Sequence, residues 1–142
     1  MKQHKYNARA GWYTPDVRGP FPKASQPNLI HFDSMLEVKY AKQLELRTCA
    51  NDILGWERSH ENWDFNLRRE KPYRANSQIK PDFIYWENDG TQVWVEVKGY
   101  ARQESLTQIR RAILCYPERK LLIYTKDGTH TAEQYLLLVG RK

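Results

Sequence analysis

The sequence predicts an α/β fold: a mixed, mostly antiparallel sheet of about four strands flanked by helices. Three observations predict it. A hairpin pattern spans residues 82–98, where two strand-like runs meet at the turn signal Asn88-Asp89-Gly90. A helical stretch precedes it over residues 35–48. A second helical pattern, over residues 103–115, leads into a short apolar run at residues 120–125.

Taken in order, residues 1–30 are basic, aromatic and rich in Pro and Gly. Pro15, Pro20, Pro22 and Pro27 rule out a long helix, so an extended arm is read there. It is either a loosely packed tail or a strap that meets phosphates through Lys5, Arg9 and Arg18 and stacks Tyr6, Trp12 or Tyr13. Residues 31–142 then read as one domain. Asp33 or Ser34 caps the first helix, and Leu36, Tyr40 and Leu44 form its apolar stripe. Glu37 lies at the edge of that stripe, and Asn51-Asp52 ends the helix.

Residues 53–73 read as one or two strands, with Trp63, Phe65 and Leu67 alternating at period two. A basic loop follows, carrying Arg68, Arg69, Lys71 and Arg74 around Pro72. In the hairpin, Val93, Val95 and Val97 face one way, and Trp94, Glu96 and Lys98 the other. Gly99 breaks the strand and Pro117 ends the second helix. KLLIYT (120–125) has the look of a buried strand. Asp127-Gly128 turns the chain, and residues 131–139 fit a helix or a strand equally well.

The chain has 142 residues and is 40% hydrophobic, enough for a single core and too apolar for disorder. Its net charge of +6 favours a polyanionic partner such as nucleic acid. Cys49 and Cys115 form no CxxC pair, so zinc is not expected, and core positions on helices account for both. The four histidines show no HExxH or HxH spacing. No apolar run is long enough for a membrane span, and the N-terminal residues lack a signal-peptide core, so a cytoplasmic protein is expected.

The chemistry-bearing pattern is Pro81-Asp82 followed by Glu96-Val97-Lys98. Antiparallel pairing brings the start of one hairpin arm to the end of the other, so all three polar residues reach one end of the sheet. Carboxylates held close together call for a cation, and Mg2+ takes oxygen ligands, keeps waters and shares phosphates. Such an ion polarises a phosphodiester and acidifies a bound water, while a lysine beside it orients that water or steadies developing charge. A depressed pKa would instead let that lysine act as the base. The plain alternative is a polar, solvated strand face. Trp94 on the same face speaks against it.

IKPDFIYW and VWVEVKGY resemble the core motif of the PD-(D/E)xK nuclease superfamily. The segment Phe32 to Glu45, with Ser34, Glu37 and Lys39, is similar to the first helix of phage endonuclease I-type Holliday-junction resolvases. Lys5-Tyr6-Asn7-Ala8 resembles the opening of small phage proteins of that superfamily. The likeness covers roughly residues 30–125. The loop from Trp63 to Pro81 is longer and more basic than the family minimum, and nothing after Asp127 matches.

The resemblance implies a restriction-endonuclease-like core, so that residues 31–142 form a nuclease domain, with Mg2+ (Mn2+ as substitute) as cofactor. Asp82 and Glu96 would be the main metal ligands, with the Val97 carbonyl assisting. Glu37 would be the helix carboxylate, binding a second metal or a metal water, and Lys98 the catalytic lysine. Ser34, Lys39, Arg68, Arg69, Lys71, Arg74, Lys80, Arg110 and Arg111 are the candidate DNA contacts, though Ser34 is more simply an N-cap. The implied substrate is branched DNA, with the four-way junction first, and the implied assembly is a homodimer. Residues 53–73 are the expected place for dimer contacts or segment exchange. A duplex nickase or endonuclease of restriction, repair or transposase type stands as the alternative. A non-catalytic DNA-binding protein with the same fold is the alternative of another class.

Overall fold

The computed structural model describes residues 11–13 and 30–140, with side chains over residues 32–140. In chain order the elements are β1 (Gly11–Tyr13), β2 (Ile30–Phe32), α1 (Met35–Cys49), β3 (Ile53–Arg58), β4 (Trp63–Asp64), β5 (Gln78–Ile79), β6 (Phe83–Glu87), β7 (Gln92–Val97), α2 (Gln103–Cys115), β8 (Lys120–Thr125), β9 (Gly128–Thr131) and α3 (Ala132–Gly140). One 3-10 turn, Phe65–Arg68, follows β4. Among the described residues no helix is long and apolar enough to cross a membrane.

The main sheet has five strands in the order β3-β6-β7-β8-β9. Only β7 and β8 run parallel, because α2 carries the chain back between them. The other neighbours are antiparallel. Two small ladders stand apart, β1 with β2 and β4 with β5. Thus residues 11–13 of the arm form a strand against residues 30–32. Lys5, Tyr6, Arg9 and Arg18 lie outside the described residues.

Strand alternation gives the sheet two apolar faces. Phe83, Tyr85, Val93, Val95, Val97 and Tyr124 pack with Tyr40, Ala41 and Leu44 of α1 on one side. Ile84, Trp94, Leu121 and Ile123 pack with Leu106, Ile109 and Ala112 of α2 and with Ala132 and Tyr135 of α3 on the other. Helices therefore cover both sides. Fully buried Phe83 is a hub, its ring within 5.9 Å of Phe32, 5.4 Å of Tyr40 and 5.9 Å of Trp56.

Local chemistry sets the element ends. Ser34 has extended backbone, and its hydroxyl accepts the Glu37 N–H at 3.2 Å, starting α1. Asn51 takes a left-handed φ of 62° just past the helix, a conformation asparagine tolerates. For α3, the Gln134 N–H donates to the Thr131 hydroxyl and the Thr131 N–H to the Gln134 amide oxygen. This reciprocal cap decides the ambiguous stretch in favour of helix.

Three expectations need correction. The strand reading of residues 63–67 stops at Asp64, whose carboxylate accepts the Asn66 N–H at 2.9 Å and turns the chain into the 3-10 turn. Leu67 is consequently 79% exposed rather than part of an alternating face. Cys49 is exposed, because it falls on the last, outward turn of α1. The sheet also gains a fifth strand, β9, where only a turn was expected. Its sequence, Gly-Thr-His-Thr, has no apolar alternation to reveal it.

Phe83→Ala is expected to cost about 3–5 kcal/mol in urea unfolding, whereas Leu67→Ala stays within about 0.5 kcal/mol. Equal losses would contradict the 3-10 turn.

Burial pushes the Tyr40 hydroxyl above the ordinary phenol range; nearby Tyr85 adds to this and Arg47 works against it. The folded state therefore holds this proton longer than the unfolded chain. The resulting stabilisation is complete below about pH 10 and is lost as pH rises beyond it. Urea midpoints measured between about pH 9 and pH 11 should fall less for Tyr40→Phe than for the natural chain.

Candidate active site

Pro81 lacks an N–H and is fully buried just before β6, so the ladder begins with Asp82. The Asp82 N–H donates to the Val95 carbonyl at 2.9 Å. Its carboxylate Oδ2 accepts the Val97 N–H at 2.8 Å. These two bonds bracket Glu96 on the neighbouring strand. The Asp82 carbonyl accepts from Ser59 N–H just past β3, and Lys98 N–H donates to the Tyr124 carbonyl on β8. Residues 82 and 96–98 are thus stitched into four adjacent strands at one end of the sheet.

Glu96 and Lys98 follow Trp94 on the face covered by α2, as period two requires. Lys98 Nζ lies 3.1 Å from Glu96 Oε2, and the two side chains are only 9% and 8% exposed. Buried charges are tolerated when paired at short range.

Helices α1 and α2 both begin at this end. The linker after α1 is short, so the C-terminus of α1 lies beside the start of β3 and its N-terminus beside the end of β3. Contacts agree: Phe32, just before α1, stacks on Phe83, whereas Arg47 in the last turn lies over Tyr85. Helix α2 begins after Gly99-Tyr100-Ala101-Arg102, directly beyond β7. Helix N-termini carry partial positive charge and unsatisfied N–H groups, which suit an anion.

Glu37 sits in the first turn of α1 and is buried. The Ser34 hydroxyl donates to its Oε2 at 3.1 Å while accepting its backbone N–H, so Ser34 is an N-cap that also holds the Glu37 carboxylate.

Asp82, Glu96, Val97 and Lys98 are brought together by the Val97 N–H to Asp82 bond and the Lys98–Glu96 ion pair. Glu37 stands at the N-terminus of α1, at the same end of the sheet, but α1 covers the opposite face from Glu96 and Lys98. The donor set fits Mg2+: carboxylates from two adjacent strands, one of whose oxygens (Asp82 Oδ2) is fixed by a backbone N–H. Among the described residues no three His, Cys, Asp or Glu side chains form a ready cage. Mg2+ seldom needs one, because it keeps waters and draws on one or two carboxylates plus phosphate.

The basic candidates divide. Arg68 pairs with Glu118 at 2.7 Å, donates to the Cys115 carbonyl and lies 3.9 Å over Tyr116. Its hydrogen bond holds the exposed Glu118 carboxyl below the usual range. Arg111 donates to the carbonyls of Ala75 and Asn76 and lies 3.7 Å over Tyr73, whose ring also meets Arg69 at 3.9 Å. These three arginines fasten the loop over residues 69–76 and the 3-10 turn to α2 and its end. Lys39, Lys71, Arg74, Lys80 and Arg110 are exposed.

Two residues at the mouth escaped the sequence reading: Tyr100, 61% exposed, and Arg102, the N-cap position of α2. Their adjacency to Glu96-Val97-Lys98-Gly99 was the available signal.

A family described as a protein of unknown function, DUF1064, matches residues 23–130. The chain belongs to the DUF1064 family. No curated protein and no solved structure matches it. The DUF1064 match spans α1 through β8, with every strand and helix that positions Asp82, Glu96 and Lys98, and ends before α3.

In this DUF1064 chain, Lys98→Met is expected to cost about 3–5 kcal/mol in urea unfolding, since it leaves a buried carboxylate without its ammonium. Adding Glu96→Gln should recover at least half of that loss. Strictly additive losses would show that the pair is not coupled.

Proposed function

We propose that this chain is a Mg2+-dependent DNA endonuclease with a restriction-endonuclease-like core. The observation that carries the reading is Asp82 bracketing Glu96, with Lys98 beside it, where α1 and α2 both begin. In a protein that only binds DNA, carboxylates facing phosphate weaken affinity, so keeping them there favours catalysis.

Asp82 and Glu96 would hold the metal, with the Val97 carbonyl as a further oxygen donor. When bound, the ion polarises the phosphodiester and acidifies a water. Lys98 would orient the attacking water and steady charge on the phosphorus oxygens. Glu37, held by Ser34, would supply a third carboxylate from the side of α1, for a second metal or a metal-bound water. Exposed Lys39, Lys71, Arg74, Lys80 and Arg110 meet the DNA backbone. Arg68, Arg69 and Arg111 act one step back, by holding the loop that presents Lys71 and Arg74. The net charge of +6 fits a polyanionic substrate.

The substrate we favour is branched DNA, with the four-way junction foremost. Symmetric cutting of two strands needs two sites, which a two-fold homodimer supplies. These two points rest on the resemblance of the Phe32–Glu45 and Pro81–Gly99 segments.

Incubation with Mg2+ and labelled linear duplex, single strand, flap, three-way and four-way DNAs tests the reading. Paired symmetric nicks in the four-way junction are expected, and sedimentation should give a dimer. Asp82→Asn and Glu96→Gln should each slow cleavage at least about 10^3-fold and leave junction binding intact. Equal cutting of linear duplex would replace the junction with a duplex substrate. Tight binding without any cutting would replace the enzyme with a binding protein.

A further inference from the structure

The Lys98–Glu96 contact has a second consequence, which rests on the metal reading above. Lys98 Nζ is 3.1 Å from Glu96 Oε2, and neither side chain has water enough around it to dilute the interaction. A divalent cation accepted by the Glu96 carboxylate would stand within a few ångström of that ammonium, and like charges so close repel strongly. We infer that Lys98 is a resident counter-ion that competes with the divalent cation for Glu96 and must leave it as the cation binds.

The ammonium does not leave into an apolar wall. Beyond Lys98 the chain continues through exposed Gly99 and Tyr100 into the N-terminus of α2. An extra Cβ built on Gly99 would meet nothing, so the space beside it is open. A DNA phosphate arriving there gives the displaced ammonium a new anionic partner. Cation and DNA then each relieve a cost that the other would face alone. Their binding is therefore mutually reinforcing, and by linkage the factor is the same in both directions. Without DNA, the pair keeps the protein's affinity for the cation low.

Lys98 is a positioning group in this role, so the test reads cation binding rather than cleavage. Mn2+ binding is measured at about pH 8 on the full chain without DNA, for the natural protein, Lys98→Met and Glu96→Gln. Lys98→Met is expected to bind Mn2+ about tenfold more tightly, and Glu96→Gln to lose most binding. If the natural chain binds Mn2+ and Lys98→Met binds it equally or less tightly, the competition is overturned while the metal site stands. If no variant binds Mn2+, the metal reading falls and this inference with it.

A measurement on the natural chain covers the case in which Lys98→Met does not fold. With 15N-labelled lysine, the slowly exchanging ammonium signal of Lys98 should disappear as Mg2+ saturates the protein. Its persistence unchanged at saturating Mg2+ would overturn the inference.

Discussion

Two opposite charges buried against each other, Lys98 and Glu96, are the constraint around which the rest of this structure is arranged. Moving either into a protein interior alone costs several kcal/mol. At 3.1 Å the pair offsets much of that cost, but only if the strand holds both groups in register. Asp82 supplies that restraint. Its backbone N–H and its carboxylate bond to residues on either side of Glu96, so β7 cannot slip against β6 without breaking both. A one-residue slip would also turn Trp94, Glu96 and Lys98 together to the face of α1 and bring Val95 and Val97 to the face of α2 in their place.

The two apolar faces serve the same end. The hub at Phe83 fixes the residue next to Asp82 through three aromatic neighbours, and Phe32 among them ties in the entrance to α1. On the other face, Trp63 meets Trp94 edge-on at 5.3 Å, two residues from Glu96. The parallel β7–β8 pair requires a crossover, and that crossover is α2, which begins where Lys98 ends. Topology thus delivers two helix N-termini and two carboxylates to one edge. For a phosphodiester bond and a divalent cation, both kinds of group are useful at once.

Much of this was legible in the residues. Period two separates the valines from Trp94, Glu96 and Lys98 without any knowledge of the third dimension, and Asn88-Asp89-Gly90 fixes the hairpin. Ser34 announces the start of α1, and Pro117 the end of α2. What escaped depended on contacts far apart in sequence or on local polar bonds. Arg68 reads as a free cation until Glu118, fifty residues later, is seen beside it. Arg111 reads the same way until Tyr73 and the carbonyls of Ala75 and Asn76 appear. The Asp64 side chain ends a strand that hydrophobic alternation alone would extend. Strand β9 is polar along its length and pairs with β8 at the edge of the sheet, so no apolar pattern marks it. The cap between Thr131 and Gln134 was visible as a spacing and would have settled α3.

The central claim is that Asp82 and Glu96 together hold a divalent cation. Anomalous diffraction from a crystal soaked in Mn2+ tests it most directly. The account expects one strong peak between the two carboxylates, with the Val97 carbonyl nearby and Lys98 withdrawn from Glu96. A Mn2+ peak elsewhere, with the Lys98–Glu96 contact intact and no density between Asp82 and Glu96, would contradict it.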